Sequence, residues 1–307
     1  MKQFLKKITL FGIVFIVVNA LIFVSLQRES FGLVTENNRT SFIENQVHTP
    51  KIIISGGSNV GYSLDSELLS KNLQQEVYNV SFSISHDYEY VLNYIASSLK
   101  KNDTFLYIPE YDQYYINNEN TMSDALCVSI YNKPSTFQYL NFQQKINFLT
   151  KVPKLNILLL YKNLKHLVSN KTIMLKTDNR GDYVTHLEQS ATWKKSAITR
   201  YEKYKYDHKL SNQFKNALLK AQKIAESNGA IFYISYPSIA QSQYDERFSK
   251  DLKKFYKNSG LKLIGQPETY IFSDDLIFDH PYHLTKEGRK KRTQFLTKDI
   301  QKGFTQK

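Results

Sequence analysis

Two short segments near opposite ends of the chain carry side chains that could act together on a substrate. Residues 52–59 read Ile-Ile-Ile-Ser-Gly-Gly-Ser-Asn, which is typical of a buried strand running into a tight turn that ends on Ser58. Residues 278–285 read Phe-Asp-His-Pro-Tyr-His-Leu-Thr and place Asp279 and His283 just before a helix. A serine hydroxyl becomes a good nucleophile when an imidazole takes its proton and a carboxylate orients that imidazole. The chain therefore contains the three groups of a nucleophilic serine site.

Each of these residues also has an ordinary structural interpretation. Ser58 could cap the helix that follows its turn, Asp279 could form a turn, and His283 could bond to a backbone carbonyl. His280, which directly follows Asp279, is a competing base. The joint occurrence of serine, aspartate and histidine at the expected ends of an α/β pattern favours the catalytic interpretation.

Short apolar strands alternate with helices on both sides of a long central region. This alternation predicts an α/β fold with a parallel sheet and helices on both of its faces. The predicted strands are 51–56, 77–82, 104–109, 230–236 and 261–264. The predicted helices are 64–73, 87–99, 212–227, 244–257 and a last helix from 285 towards 300.

The central region, from about residue 110 to 208, is rich in Tyr, Asn and Lys and breaks the strand–helix alternation. It predicts a helical insertion packed over the carboxyl edge of the sheet, with helical patches at 139–148 and 155–167. The chain has one cysteine, Cys127, which is expected in the core of a helical stretch and excludes an internal disulfide.

The N-terminal segment predicts a membrane anchor at residues 1–27. Residues 8–27 contain no charged side chain and match the roughly 20 apolar residues that cross a bilayer. Three lysines precede this run, so the positive-inside rule leaves the N-terminus in the cytoplasm and exports the rest. A cleaved signal peptide ending near Val18-Asn19-Ala20 is the alternative, although the apolar run continues beyond it. Residues 28–50 are polar and predict a juxtamembrane stalk before a domain at 51–300.

The formal charge of +13 raises the question of a nucleic-acid partner. The basic residues are scattered, and an exported domain would not meet nucleic acid, so none is predicted. Solvated lysine-rich helix faces, or a basic surface facing anionic lipid heads or an anionic glycan, account for the charge. The histidines show no paired spacing on a helix, so neither a metal nor a cofactor is predicted.

With these residues in place, the chain resembles the SGNH/GDSL hydrolase superfamily, and especially its membrane-anchored members associated with bacterial surface-polysaccharide modification. His283-Leu284-Thr285-Lys286-Glu287-Gly288 is similar to the His-Leu-x-x-x-Gly ending of that superfamily, and Pro109-Glu110-Tyr111 is similar to a Pro-Glu-Tyr found in the polysaccharide-associated branch. The resemblance implies a flavodoxin-like three-layer α/β/α fold. It also implies that Ser58 is the nucleophile, Asp279 the orienting carboxylate and His283 the general base.

The chain departs from the superfamily pattern at the oxyanion hole. Gly-Gly-Ser replaces Gly-Asp-Ser at the nucleophile, no glycine follows the second strand, and no Gly-x-Asn-Asp follows the third. The candidate replacements are Asn59, Asn79 and groups near Ser83 and Ser85. Further candidates for the site wall or for substrate contact are Glu110, Tyr111, Tyr114, Tyr115, His86, and the loop 179–182 near His186.

The resemblance therefore predicts a membrane-anchored serine esterase or O-acyltransferase that acts on a cell-surface glycan through an acyl-enzyme. A membrane-bound O-acyltransferase is the protein partner that the transferase hypothesis implies. The alternative is a catalytically degenerate binding or scaffolding component of polysaccharide assembly, which the unmatched oxyanion motifs motivate.

Overall fold

The structure is a computed structural model that describes most of the chain, and the chain forms two compact units. A helical unit lies within residues 1–34 and 120–174, and a sheet unit lies within 35–119 and 175–307. The described residues are 1–25, 40–43, 50–83, 86–117, 122–168, 176–193 and 209–305. Most of the predicted stalk, together with Ser85 and the end of the predicted insertion, lies outside these residues.

The helices and strands are numbered here in chain order. The helices are α1 Lys2–Ser25, α2 Ser58–Ser63, α3 Ser66–Leu73, α4 Tyr88–Ser98, α5 Asp124–Asn132, α6 Phe142–Val168, α7 Asn212–Ser227, α8 Arg247–Tyr256 and α9 Lys286–Thr305. The strands are β1 Lys51–Gly56, β2 Glu76–Asn79, β3 Thr104–Ile108, β4 Ile231–Ile234, β5 Ile239–Ala240 and β6 Ile271–Phe272.

The main sheet has the parallel strand order β2-β1-β3-β4. The chain adds β2 on one side of β1 and β3 on the other, so the direction of winding reverses between β1 and β3. The loops that follow these two strands therefore diverge and leave room for a site at their carboxyl ends. The fold class predicted from the sequence, α/β with a parallel sheet, is confirmed.

The sheet is held at its opposite end by a buried ion pair. Lys51 Nζ lies 3.1 Å from Asp103 Oδ2, and both side chains are buried. Asp103 also accepts hydrogen bonds from the backbone N–H groups of Lys51 and Lys100. These bonds satisfy the buried carboxylate and fix where β1 and β3 begin, which sets the register that brings their carboxyl ends together.

Local capping signals explain where several helices begin. Asp65, Asp87 and Ser211 each accept the backbone N–H of the third residue of the helix that follows. The helix predicted at 212–227 has these bounds in the structure. The predicted strand 261–264 is reduced to a single parallel bridge between Ile234 and Leu263.

The helical unit contains α1, α5 and α6. Helix α6 is continuous through Pro153, whereas the sequence predicts two separate helical patches. Cys127 is buried in α5, as expected. Helix α1 is long and apolar enough to span a membrane, and a signal sequence has the same properties.

Candidate active site

The turn between β1 and α2 places Ser58 at the carboxyl edge of the sheet. Strand β1 ends at Gly56, and α2 begins at Ser58. A Cβ atom on Gly56 would lie 2.2 Å from the carbonyl oxygen of Ile108, and one on Gly57 would lie 2.3 Å from Glu110 Oε1. Gly56 is therefore required because the backbone of β3 lies against it, and a side chain at position 57 would displace the buried carboxyl of Glu110.

Three side chains form a continuous hydrogen-bonded chain at this edge. Ser58 Oγ lies 2.8 Å from His283 Nε2, and His283 Nδ1 lies 2.7 Å from Asp279 Oδ1. Burial opposes ionisation of Asp279, but its hydrogen bond with His283 and the charge of that imidazole together hold the pKa of Asp279 below its usual value. The structure thus brings the predicted nucleophile, base and orienting carboxylate into the geometry of a serine triad.

A tight loop explains the four-residue interval between Asp279 and His283. The N–H of Phe278 donates to the carbonyl of His283 at 2.8 Å, and Ile277 pairs with Leu284 across an antiparallel bridge. The N–H of His283 donates to the carbonyl of His280. The loop therefore closes on itself and holds the two side chains against each other.

His280, the competing base, has a different place in this loop. The hydrogen bond to Ser58 comes from His283, and the His280 ring lies beside the His283 ring at 4.8 Å between centroids. Burial, reinforced by the charge of His283, lowers the pKa of His280 to about 4. His280 is therefore a neutral neighbour of the triad at physiological pH.

Tyr62 is a site residue that the sequence reasoning missed. Its ring stacks on the imidazole of His283, with 4.0 Å between centroids and 12° between planes. The same tyrosine contacts Tyr183 and His186. Burial lowers the pKa of His186 to about 4, so this neighbour is also neutral. The sequence feature that could have identified Tyr62 is its spacing, because it lies four residues after Ser58 and therefore on the same face of α2.

Glu110 lies directly beneath the nucleophile turn. Its Oε1 atom accepts the backbone N–H of Asn59 at 3.1 Å and lies 3.4 Å from Ser58 Oγ. The side chain is almost fully buried. Burial raises the pKa of Glu110 to about 7, against the opposing effect of the hydrogen bond from Asn59. Glu110 is thus part of the site as predicted, but it lies in the protein interior and supports the turn by its hydrogen bond with Asn59.

Asn59 connects the nucleophile turn to its surroundings. Its side-chain amide donates to the backbone carbonyl of Ile108 at 3.3 Å, and its backbone carbonyl accepts from Arg292 Nη1 at 2.6 Å. Arg292 is fully buried, and this burial lowers its pKa to about 10. These bonds anchor the start of α2 and argue against Asn59 as an oxyanion donor in this arrangement.

Asn79 belongs to a buried network behind α2. Its Nδ2 donates to the carbonyl of Val60 at 3.0 Å and to Asp182 Oδ1 at 2.7 Å. Asp182 also accepts from the N–H and the hydroxyl of Ser66 and from Arg289 Nη2. The side-chain amide of Asn79 thus makes two hydrogen bonds inside the protein, which argues against its use as an oxyanion donor. The loop 179–182 contributes a structural carboxylate that its sequence did not reveal.

The remaining candidates differ in how far their side chains are exposed to solvent. The Ser83 side chain is exposed, and its carbonyl accepts from the backbone N–H of His86. Tyr111 is fully buried and packs flat on Phe248 at 4.5 Å. Tyr114 is also fully buried, with its hydroxyl 2.6 Å from that of another tyrosine. These positions argue against the interpretation of Tyr111 and Tyr114 as sugar-stacking walls.

Among the residues that the structure describes, no group of three or more His, Cys, Asp or Glu side chains is arranged to hold a metal ion. The described site consists of Ser58, His283 and Asp279 at the carboxyl edge of the sheet, with buried Glu110 next to Ser58.

The chain matches no family model and no curated protein. Among solved structures, it is similar to the protein YxiM from Bacillus subtilis, at 11% identity and a TM-score of 0.41, over 83% of this chain and 57% of that one. It is also similar to an acetyl xylan esterase, Est2A, from the rumen bacterium Butyrivibrio proteoclasticus, at 9% identity and a TM-score of 0.35, over 84% of this chain and 65% of that one. The chain thus spans less than two thirds of either protein, and similarity at this level carries no argument about activity. The strand order and the triad geometry agree with the resemblance to the SGNH/GDSL hydrolase superfamily.

Proposed function

We propose that this chain is a serine esterase or O-acyltransferase of the SGNH type that works through an acyl-enzyme. The observation that supports it is the hydrogen-bonded chain from Asp279 through His283 to Ser58, with distances of 2.7 and 2.8 Å. Such a chain holds the imidazole in the tautomer that can accept the serine proton, and this is the requirement for an acyl-transfer nucleophile.

In the acylation step, Ser58 Oγ attacks the carbonyl carbon of an ester while its proton passes to His283 Nε2. Asp279 stabilises the resulting imidazolium through Nδ1. The tetrahedral intermediate collapses when Nε2 returns the proton to the leaving alcohol oxygen, and the acyl group stays on Ser58 as an ester. The resemblance implies that the backbone N–H of Ser58 donates to the oxyanion.

In the second step, the acyl group leaves Ser58. His283 removes a proton from water or from a sugar hydroxyl, and that oxygen attacks the acyl carbon. Water gives a free acid and an esterase, whereas a sugar hydroxyl gives an acylated glycan and a transferase. The serine recovers its proton from Nε2 in both cases, so one triad serves both outcomes.

The proposal places the sheet unit outside the cytoplasm, anchored by α1. Lys2, Lys6 and Lys7 precede the apolar run, which favours a cytoplasmic N-terminus. Asn156 Nδ2 of α6 donates to Asn19 Oδ1 of α1 at 2.8 Å, so a retained α1 takes part in the packing of the helical unit. This contact supports an uncleaved anchor. A cell-surface glycan as acceptor, and a membrane-bound O-acyltransferase as acyl supplier, follow from the resemblance.

Labelling with a fluorophosphonate tests the catalytic proposal. Full-length protein in detergent should be labelled on Ser58 and should release p-nitrophenol from p-nitrophenyl acetate. Ser58→Ala should lose both signals and keep its thermal unfolding midpoint, because the change removes one oxygen and no core volume. The matched control is Ser227→Ala, at an exposed serine at the end of α7. Equal labelling of the Ser58→Ala protein would contradict the proposal.

A scaffolding role is the second candidate, and the site gives a specific reason for it. The amides of Asn59 and Asn79 are both engaged within the fold, and loss of one oxyanion donor typically costs about 10²- to 10³-fold in rate. A Ser58→Ala strain that keeps normal glycan acylation, beside a deletion strain that loses the polymer, would favour the scaffold over the enzyme.

Membrane orientation has its own test. A reporter that is active only outside the cytoplasm, fused after Lys307, should be active in intact cells. Replacement of Lys2, Lys6 and Lys7 by Gln removes the charge bias and should lower this activity. An inactive reporter on well-expressed protein would reject the proposed orientation and the surface substrate with it.

A further inference from the structure

One face of α6 carries a row of large apolar side chains that the described part of the structure leaves uncovered. Phe142, Leu149, Ile157 and Leu164 are 79%, 62%, 70% and 63% exposed. Ile146, Leu160 and Tyr161 extend the same row. The steps of three and four residues place these side chains on one side of the helix. We call this row the outer stripe of α6.

The opposite face of α6 is already filled. Phe148, Leu155 and Leu159 are buried on that side. The outer stripe is therefore additional to the apolar surface that α6 needs for its own packing. A contiguous apolar patch of this kind on a protein surface usually marks an interaction site.

The contact between α6 and α1 fixes where this stripe must lie. Asn156 Nδ2 donates to both the carbonyl and the side-chain oxygen of Asn19, at 3.0 and 2.8 Å. Asn19 lies three residues before the end of Lys2–Ile22, the part of α1 that is long and apolar enough to span a membrane, and is therefore close to one membrane surface. A polar side chain there, still among apolar neighbours, requires a polar partner. Helix α6 supplies that partner and therefore sits beside the apolar segment of α1.

A groove between the two helices supports the same placement. Its volume is about 470 Å³, and its walls are almost entirely apolar, formed by Phe15, Ile16, Asn19, Ala20, Phe148, Leu149, Val152 and Pro153. Leu149 of the outer stripe lines this groove, so the apolar surface of α1 continues directly into that of α6.

We propose that α6 is a second membrane element, which lies in the bilayer surface next to α1 with its outer stripe among the lipid acyl chains. This inference rests on the proposal that α1 spans the membrane and does not depend on catalysis. Exposed Lys154 lies at the edge of the stripe, where its amine can reach lipid phosphates while its stem stays in the apolar layer. The helix thus has the apolar face and the flanking cation of an interfacial helix.

The test places an environment-sensitive fluorophore at single sites of the full-length protein in vesicles of phosphatidylcholine and phosphatidylglycerol. Burial raises the pKa of the Cys127 thiol to about 11, so the natural cysteine should not react at neutral pH, and the unchanged protein checks this. The stripe variants are Leu149→Cys and Ile157→Cys. Ile13→Cys reports on α1, and Lys290→Cys, on an exposed position of α9, is the aqueous control.

We expect lipids with a doxyl quencher on the acyl chain to quench the fluorophore at 149, 157 and 13, each at least threefold more than at 290. Iodide in the water should give the reverse order. Strong iodide quenching at 149 and 157, with lipid quenching at 13, would overturn the proposal for α6 and leave the α1 anchor intact. Protection of the stripe sites from both quenchers would also overturn it, in favour of a protein partner or a second copy. Absence of lipid quenching at 13 would reject the anchor itself.

Discussion

The Glu110→Gln substitution removes a titratable proton from beneath the nucleophile turn and keeps the shape of the side chain. Burial raises the pKa of Glu110 from 4.5 to about 7 in the folded protein. The folded protein therefore holds this proton more tightly than the unfolded chain does. The resulting stabilisation is fully present below about pH 4.5 and is lost as the pH rises through about 7.

The size of the effect follows from the two pKa values. The interval from 4.5 to about 7 corresponds to about 3 kcal/mol, at about 1.36 kcal/mol per pKa unit. Between pH 5 and pH 8 the wild-type protein should lose about 2 to 3 kcal/mol through this group alone. Glutamine does not titrate and resembles the protonated acid. The variant should match the wild type within about 1 kcal/mol at pH 5 and exceed it by about 2 kcal/mol at pH 8.

Guanidinium unfolding of the full-length protein in detergent measures this difference. Trp193, the one tryptophan of the chain, is buried in the sheet unit and donates to Asp274 Oδ2, so its fluorescence reports on the unfolding of that unit. Other buried carboxyls contribute equally to both proteins and cancel in the comparison. Glu188→Gln, at an exposed glutamate, is the matched control and should follow the wild type at both pH values. Parallel pH dependence of wild type and Glu110→Gln would refute the assignment of a buried, proton-binding Glu110.

Three further predictions concern contacts in and behind the site. Tyr62→Leu should lower kcat about tenfold with little change in KM, whereas Tyr62→Phe should keep kcat, because the stacked ring stabilises the imidazolium of the triad. Steady-state ester hydrolysis measures both parameters, and an unchanged kcat in the leucine variant would contradict this role. Asp182→Ala should lower the free energy of unfolding by about 3 kcal/mol, because it leaves buried Arg289 without its nearest carboxylate. Asp178→Ala, at a more exposed carboxylate 3.8 Å from the same arginine, should cost about 1 kcal/mol or less in the same guanidinium titration, and equal losses would reject the argument. Gly57→Ala should abolish fluorophosphonate labelling, because its Cβ would lie 2.3 Å from the carboxyl oxygen that packs against it; normal labelling would show that the turn has room to adjust.

Local sequence patterns determined most elements of this protein and indicated the three residues of its candidate triad. The apolar runs at β1 and β3, and the bounds of α7, were readable because strand burial and helix ends depend on residues close together in the chain. Ser58, Asp279 and His283 were readable for a related reason. Parallel strands share one carboxyl edge, so residues that follow the first strand and precede the last helix meet there.

Tertiary structure alone decided what surrounds the triad. The contacts of Glu110 with the turn span about fifty residues of chain, and those of Asp182 with Asn79 and Arg289 span more than a hundred. No local pattern encodes such contacts, because they depend on how the sheet register and the loops bring distant side chains together. The outer stripe of α6 shows the same limit. The sequence predicted apolar helix there, but which of its apolar residues are buried and which are exposed was fixed by packing around Asn156.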